Sequence, residues 1–271
     1  MSMPKAYHKV LTIAGSDCGG GAGIQADLKT IAALGCYGLS VITALTAQNT
    51  RGIQAVQGVS PAFVAEQLEA VFSDMEPDAI KIGMLYSREN IEVVAGKLKS
   101  FSARNIVLDP VMVAGSGEPL LQADALDSLK AHLIPLATLF TPNLPETSII
   151  LQREVQGLEE MEQAARDLSS FGSRSVLIKG GHADPVDSND LLYIGKEDRS
   201  VILRGERVAT KNQHGTGCTH SSAIACCLAR GLALEAAARE AKVYVSEALQ
   251  AGSGYRLGRG TGPLHHHYRF W

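Results

Sequence analysis

Apolar residues fall along this chain in short blocks of two alternating kinds. Residues 9–14 (Lys-Val-Leu-Thr-Ile-Ala) form a compact apolar run that stops at Gly15, the pattern of a buried first strand. After a glycine-rich stretch, residues 15–23, apolar side chains recur at 24, 28, 31 and 34 and Gly35 follows, which predicts a helix with a glycine stop. The same alternation continues. Strands are predicted over 39–46, 53–59, 79–84, 106–110, 139–143 and 175–179, and helices over 61–73, 87–101, 126–133, from 146 to 151, and over 158–171. Pro61 occupies the favoured first position of its helix. A polar turn at 184–189 leads to two antiparallel candidates, 190–194 and 200–204, and helices over 218–230 and 234–251 close the chain. Strand and helix alternating in this way predict an α/β fold with a mostly parallel central sheet and helices on both faces. No linker or shift in composition divides the sequence, so residues 1–271 are read as one domain.

Composition narrows the function classes. The chain has 271 residues, 45% hydrophobic and 20% charged, with a formal net charge of −3. That balance supplies a core but not the basic face that nucleic-acid binding needs. No apolar run approaches the roughly 18 residues of a membrane span, and the polar residues 1–9 do not resemble a secretory leader. Five cysteines without metal-ligand spacing predict reduced thiols in a cytoplasmic protein.

In an open α/β sheet, ligands gather at the carboxyl ends of the strands. The predicted strands end at Gly15-Ser16-Asp17, Gln48-Asn49, Gly83-Met84, Asp109, Asn143 and Lys179-Gly180-Gly181-His182. Near the C-terminus, His214-Gly215-Thr216-Gly217-Cys218 is a glycine-rich turn opening a helix, where unpaired N–H groups and the helix dipole favour an anion and a thiolate at Cys218. An anion site, a lysine and carboxylates able to hold Mg²⁺ describe a phosphoryl-transfer centre. Gln48 and Met84 suit a flat uncharged ring. The glycine loop fits neither the dinucleotide fingerprint, since residue 24 is Ile, nor the Walker pattern. Several of these residues also have ordinary roles: Asp109 as a turn residue, Asn143 as a helix cap, Lys179 as a solvated strand end, Gln48 as closing its own turn. A thiol hydrolase with Cys218 as nucleophile and His182, His214 or His220 as base is a second reading, and a catalytically silent nucleotide sensor a third.

The motifs Ala14-Gly15-Ser16-Asp17, Gly20 to Thr30, Thr43 to Thr50, Lys81-Ile82-Gly83-Met84-Leu85, Leu108 to Met112, Thr141 to Glu146, Lys179 to His182 and His214 to Thr219 together resemble the hydroxymethylpyrimidine and phosphomethylpyrimidine kinases of thiamine biosynthesis, in the ribokinase-like superfamily. The resemblance runs in order from about residue 10 to the end. It implies a three-layer ribokinase-like kinase using ATP and Mg²⁺, a small pyrimidine as acceptor, and a homodimer. A pyridoxal or pyridoxine kinase is the alternative within the same fold. It further implies a pyrimidine pocket formed by Gly15, Ala22, Asp27, Gln48, Met84 and Val111. Asn143 and Glu146 resemble the superfamily's N-x-x-E motif, with Asp109 and Glu146 toward Mg²⁺. Lys179, Asn143 and Thr216 would contact ATP. Gly215, Thr216 and Gly217 would form the anion hole and Cys218 the catalytic base. Two features depart from the family pattern. Cys18 and Gly19 replace the common Pro and Ser, which predicts a looser loop, and His220 stands where an apolar residue is usual. The ending from Gly258 to His267 resembles a native tail rather than a metal-binding tag.

Overall fold

The computed structural model describes residues 5–112, 120–122, 124–181 and 187–271. Among the described residues nine strands form one sheet: β1 (Lys9–Asp17), β2 (Tyr37–Asn49), β3 (Gly52–Gly58), β4 (Ala79–Ile82), β5 (Ile106–Leu108), β6 (Leu139–Phe140), β7 (Ser175–Ile178), β8 (Asp190–Ile194) and β9 (Arg199–Leu203), in the spatial order β3-β2-β1-β4-β5-β6-β7-β8-β9. The strands from β2 to β7 in that order pair in parallel, and β3, β8 and β9 add antiparallel edges. The predicted antiparallel pair is therefore present.

Side chains alternate across the sheet with period two, as the pleat requires. Val10, Ala79, Val107, Leu139, Leu177 and Leu192 belong to one core, and Leu11, Ile80, Leu108, Phe140, Ile178 and Leu191 to the other. The first core is covered by α1 (Gly23–Ala33), α7 (Thr216–Ala229) and α8 (Leu234–Gly252). The second is covered by α2 (Pro61–Phe72), α3 (Arg88–Ser100), α5 (Leu144–Leu151) and α6 (Gly157–Ser169). Between α3 and α5, α4 (Ala125–Ser128) runs into a π-turn at Leu129–Leu133. The single helix expected over 126–133 is therefore split, and Pro135 stands just beyond the turn at the position that ends regular helix.

Two features place the site. The chain leaves β1 for β2 on one side and returns to β4 on the other, so the carboxyl ends of β1 and β4 flank a switch point, where such sheets open a crevice. Helix α7 packs its small residues into the core, with Thr219 through Leu228 all buried. Its N-terminus is thereby brought close against the glycine-rich loop.

Candidate active site

A cavity of about 570 Å³ opens at these strand ends. Its wall includes Gly15, Ala22, Gln48, Met84 and Val111, together with Asp109, Asn143, Glu146, Lys179 and the Gly215-Thr216-Gly217-Cys218 turn. Every site residue expected from the sequence is in this wall except Asp27. That carboxylate is wholly buried beneath the wall, where it accepts from Thr12 Oγ1 (2.6 Å), Lys81 Nζ (2.9 Å) and Ser222 Oγ (2.8 Å). Lys81 lies on β4, a strand buried on both faces, and an unpaired ammonium there would be prohibitively desolvated, so its carboxylate partner explains Asp27. His182 lies outside the described residues.

The Gly-rich loop is wound around one carboxylate. Asp17 Oδ1 accepts from Gly19 N (2.8 Å), and Oδ2 accepts from Gly21 N (3.1 Å), Ala22 N (2.9 Å) and His214 Nε2 (2.8 Å). Burial works against its charge, but His214 and the backbone N–H groups outweigh it and hold Asp17 below the usual carboxylate range. An ionised Asp17 can only accept, so His214 Nε2 carries the hydrogen. Gln48 Nε2, 3.4 Å from that nitrogen, then finds no acceptor there, while Gln48 Oε1 accepts from Thr46 Oγ1 at 3.1 Å. Part of the Gln48 amide is thus left for a ligand. Cys18, expected to loosen the loop, is hydrogen-bonded within it: its thiol donates to Gln48 O (3.1 Å) and accepts from Gln48 N (3.3 Å). Gln48 itself lies within β2 and not in a turn after it, because β2 continues to Asn49 and pairs with β3.

Gly215 is the N-cap of helix α7, in the left-handed region at φ 82°, and no side chain caps the helix. A Cβ on Gly215 would lie 1.8 Å from Gly21 O, so only glycine lets the two loops touch. A Cβ on Gly217 would lie 3.4 Å from Lys179 Nζ and 3.6 Å from Asp109 Oδ2, which places the turn directly over that pair. Thr216 Oγ1 is turned back to Gln213 O (2.7 Å). Lys179 Nζ donates to Asp109 Oδ1 at 2.6 Å, and Ser221 Oγ donates to Asp109 Oδ2 at 3.2 Å. Burial disfavours the Asp109 charge, but Lys179 and Lys81 prevail and keep its carboxyl low.

Asn143 and Glu146 form a capping box at the start of α5: Asn143 Oδ1 accepts from Glu146 N and Glu146 Oε2 from Asn143 N, each at 2.8 Å. The cap reading of Asn143 is therefore correct, and both side chains also face the cavity. Burial pushes Glu146 up to about 7, with Lys179 opposing and Asp109 adding to the rise.

Cys218 departs most from expectation. Burial raises its thiol to about 11; Lys81 pulls it down, Asp27 and Asp109 push it up, and the Gly23 N–H hydrogen-bonded to the sulfur lowers it. Desolvation beside two carboxylates outweighs what a helix N-terminus offers a thiolate, so the expected fall toward neutrality does not occur. All five cysteines are free.

A family model described as phosphomethylpyrimidine kinase matches residues 17–265. The hydroxymethylpyrimidine/phosphomethylpyrimidine kinase of Rhizobium meliloti is 50% identical over 262 residues, covering 96% of this chain and 97% of that protein. The thiamine biosynthesis bifunctional protein of Geobacter sulfurreducens is 51% identical over 97% of this chain, which spans only 53% of that longer protein. Among solved structures, an ADP complex of Bacillus subtilis pyridoxal kinase superposes with a TM-score of 0.88 at 32% identity, covering 97% of this chain and 99% of that one.

Proposed function

Because the chain belongs to the phosphomethylpyrimidine kinase family, we propose that it transfers the γ-phosphoryl group of ATP to the hydroxymethyl group of 4-amino-5-hydroxymethyl-2-methylpyrimidine, and then phosphorylates the monophosphate to the diphosphate. The observation that carries this reading is a single cavity holding both an uncharged ring site, with Gln48 and Met84, and the open end of α7 above Lys179 and Asp109. Gln48 presents an amide able to donate to a ring nitrogen and accept from an exocyclic amine, the pair that an aminopyrimidine edge offers. Gly15, Ala22, Met84 and Val111 enclose the ring, with Gly15 close enough to Met84 that a Cβ would lie 3.2 Å from its sulfur. Asp27 acts from below, by keeping Lys81 charged and in place.

On the phosphate side, Lys179, Asn143 and Thr216 bind the nucleotide, and the N–H groups from Gly215 to Cys218 receive the transferring phosphoryl group. Cys218, in its thiolate form, takes the proton of the acceptor alcohol and becomes the thiol. The alcohol becomes acidic only as its oxygen bonds to phosphorus, so in a loose transition state the proton moves late. Among the described residues no group of three or more His, Cys, Asp or Glu side chains gathers for a metal. Two neighbouring carboxylates, Asp109 and Glu146, are nevertheless a fitting set for Mg²⁺, which commonly takes one or two protein carboxylates and fills its shell with phosphate and water. When bound, Mg²⁺ would neutralise phosphate charge, and these two residues would hold it.

Residues 1–271 are taken as one kinase domain working as a cytoplasmic homodimer; sedimentation equilibrium finding only monomer at micromolar concentration would end the dimer assignment. Among the described residues no helix is long and apolar enough to cross a membrane. The activity is tested by incubating the purified chain with ATP, Mg²⁺ and the hydroxymethylpyrimidine. Mono- and diphosphate products are expected, and no phosphorylated product overturns the reading. A kcat/KM favouring pyridoxal would assign the chain instead to vitamin B6 salvage.

A further inference from the structure

The glycines at 258, 260 and 262 alternate with Arg259 and Thr261; the first two abut Thr50 and the third Asn212. A Cβ at Gly258 would lie 2.3 Å from Thr50 Oγ1, one at Gly260 1.9 Å from Thr50 O, and one at Gly262 2.1 Å from Asn212 Oδ1. No larger side chain fits at the latter two positions without moving backbone or a buried amide. The hydrogen bonds follow the same path. Arg259 N and Gly260 N donate to Thr50 Oγ1 at 3.2 and 3.1 Å, and Thr261 N donates to Thr50 O at 2.8 Å. At the next residue, Gly262 O accepts from His214 N at 3.0 Å. The segment is anchored on both sides: Asn212 Nδ2 donates to Gly252 O and Tyr255 O, both at 2.7 Å, and His265 N donates to Ala248 O at 3.0 Å.

Thr50 sits in the turn between β2 and β3, two residues beyond Gln48, and both residues line the cavity. The strap therefore closes a ring. It runs from Gln48 along the chain to Thr50, across to Gly260 and on to Gly262 and His214, whose Nε2 stands 3.4 Å from Gln48 Nε2 in a packing contact without a hydrogen bond. β1 holds β2 only as far as Thr46, so beyond that residue the end of the hairpin depends on its own ladder with β3, and edge hairpins are marginal by themselves. The strap residues around the turn are themselves exposed, so they supply little apolar burial and act through their backbone hydrogen bonds.

We propose that Thr50 and the strap Gly258–Gly262 are positioning elements for the pyrimidine. They fix the β2–β3 turn so that Gln48 stays in register with His214 and the start of α7. None of these groups needs to touch the reacting atoms. The inference rests on the pyrimidine kinase reading above.

The test uses full-length protein and separate steady-state titrations of the hydroxymethylpyrimidine and of ATP. Thr50→Val keeps the side-chain volume but removes the acceptor for two N–H groups. It is expected to raise the pyrimidine KM about tenfold, with kcat and the KM for ATP within about twofold of wild type. Thr50→Ser, which keeps the acceptor, is expected to restore the pyrimidine KM. Gly260→Ala, which drives a Cβ into Thr50 O, is expected to reproduce the Thr50→Val defect from the other side of the contact. An unchanged pyrimidine KM in both Thr50→Val and Gly260→Ala overturns the proposal. So does a proportional rise in both KM values with a lowered melting temperature, which a general packing role would give. Wild-type protein that fails to turn over the pyrimidine at all would instead end the activity assignment itself.

Discussion

Lys81 Nζ lies 2.9 Å from Asp27 Oδ2, and neither side chain has any exposure. Burial works against both charges, yet the mutual attraction raises the Lys81 pKa, while desolvation prevails at Asp27 and raises its pKa as well. Breaking such a pair from one side leaves an uncompensated buried charge. Lys81→Met is expected to cost about 3–5 kcal/mol, lowering the thermal midpoint by roughly 10 °C or more. The double variant Asp27→Leu/Lys81→Met should recover most of that loss. Thermal unfolding of the three proteins checks it, and a double variant no better than Lys81→Met would show that the pair is not what holds this part of the core.

The pair is one of three arranged along α7. Consecutive residues on that helix, His220, Ser221 and Ser222, face Asp190, Asp109 and Asp27, at 4.0, 3.2 and 2.8 Å. Each carboxylate in turn pairs with a lysine: Lys242 at 2.8 Å, Lys179 at 2.6 Å and Lys81 at 2.9 Å. Helix α7 thus meets its neighbours through a row of ion pairs, and Gly217 at its start lies over the middle one, Lys179–Asp109.

Asp17 makes a separate prediction. Its two oxygens serve three backbone N–H groups and His214. Asn at this position would set an NH₂ against N–H donors, leaving at least one of them unpaired. Asp17→Asn is expected to lower kcat/KM for the pyrimidine about 10- to 100-fold, from a loss of roughly 1.5–3 kcal/mol for hydrogen bonds to a charged group. Steady-state kinetics check this, and a kcat/KM within twofold of wild type would mean that the loop holds its shape without the charge.

Much of this architecture is legible in the sequence, because strand and helix here announce themselves by period. The blocks ending at Ala14, Leu108 and Ile178 each stop at a glycine or a polar residue, and there the cavity opens. What the sequence hides is pairing at long range. Asp27 is given a substrate role only by the family resemblance, and nothing near it in sequence shows its partner. Its partner Lys81, 54 residues away, is inside an apolar run that looks like any buried strand. Asp17 shows only a strand end until the fold brings in His214, 197 residues later. The Cys218 pKa depends on Asp27, Asp109 and Lys81, none of them local, so a helix start alone points the wrong way.

His220 supplies a pH dependence of stability. Burial drives its pKa down to about 4 from 6.5, Asp190 opposing and Lys242 and Lys179 assisting. In the folded state it stays neutral while the unfolded chain takes up a proton below about 6.5. The stability present above 6.5 is therefore lost as pH falls from 6.5 toward 4, and the gap is worth about 3 kcal/mol when fully developed. Denaturant midpoints measured at pH 7 and pH 4.5 should fall less steeply for His220→Leu than for wild type. Equal slopes would show that His220 does not titrate differently in the two states.

The chemistry at Cys218 follows from its raised pKa. A group near 11 is a thiol at neutral pH, so if its thiolate accepts the alcohol proton, kcat should climb about tenfold for each pH unit between 7 and 9. Cys218→Asp places an ionised carboxylate there, and its profile should be flat over the same range. Cys218→Ala is expected to lower kcat by about 10²- to 10⁴-fold with little change in pyrimidine KM, since a base acts in the transition state. Cys218→Asp should recover part of that loss. A nucleophilic cysteine predicts otherwise: a covalent species visible by mass spectrometry after a substrate quench, and an Asp variant as inactive as Ala. If Cys218→Ala keeps wild-type kcat at saturating ATP, the proton leaves by another route. The N–H groups at the start of α7, with Lys179, would then carry the rate.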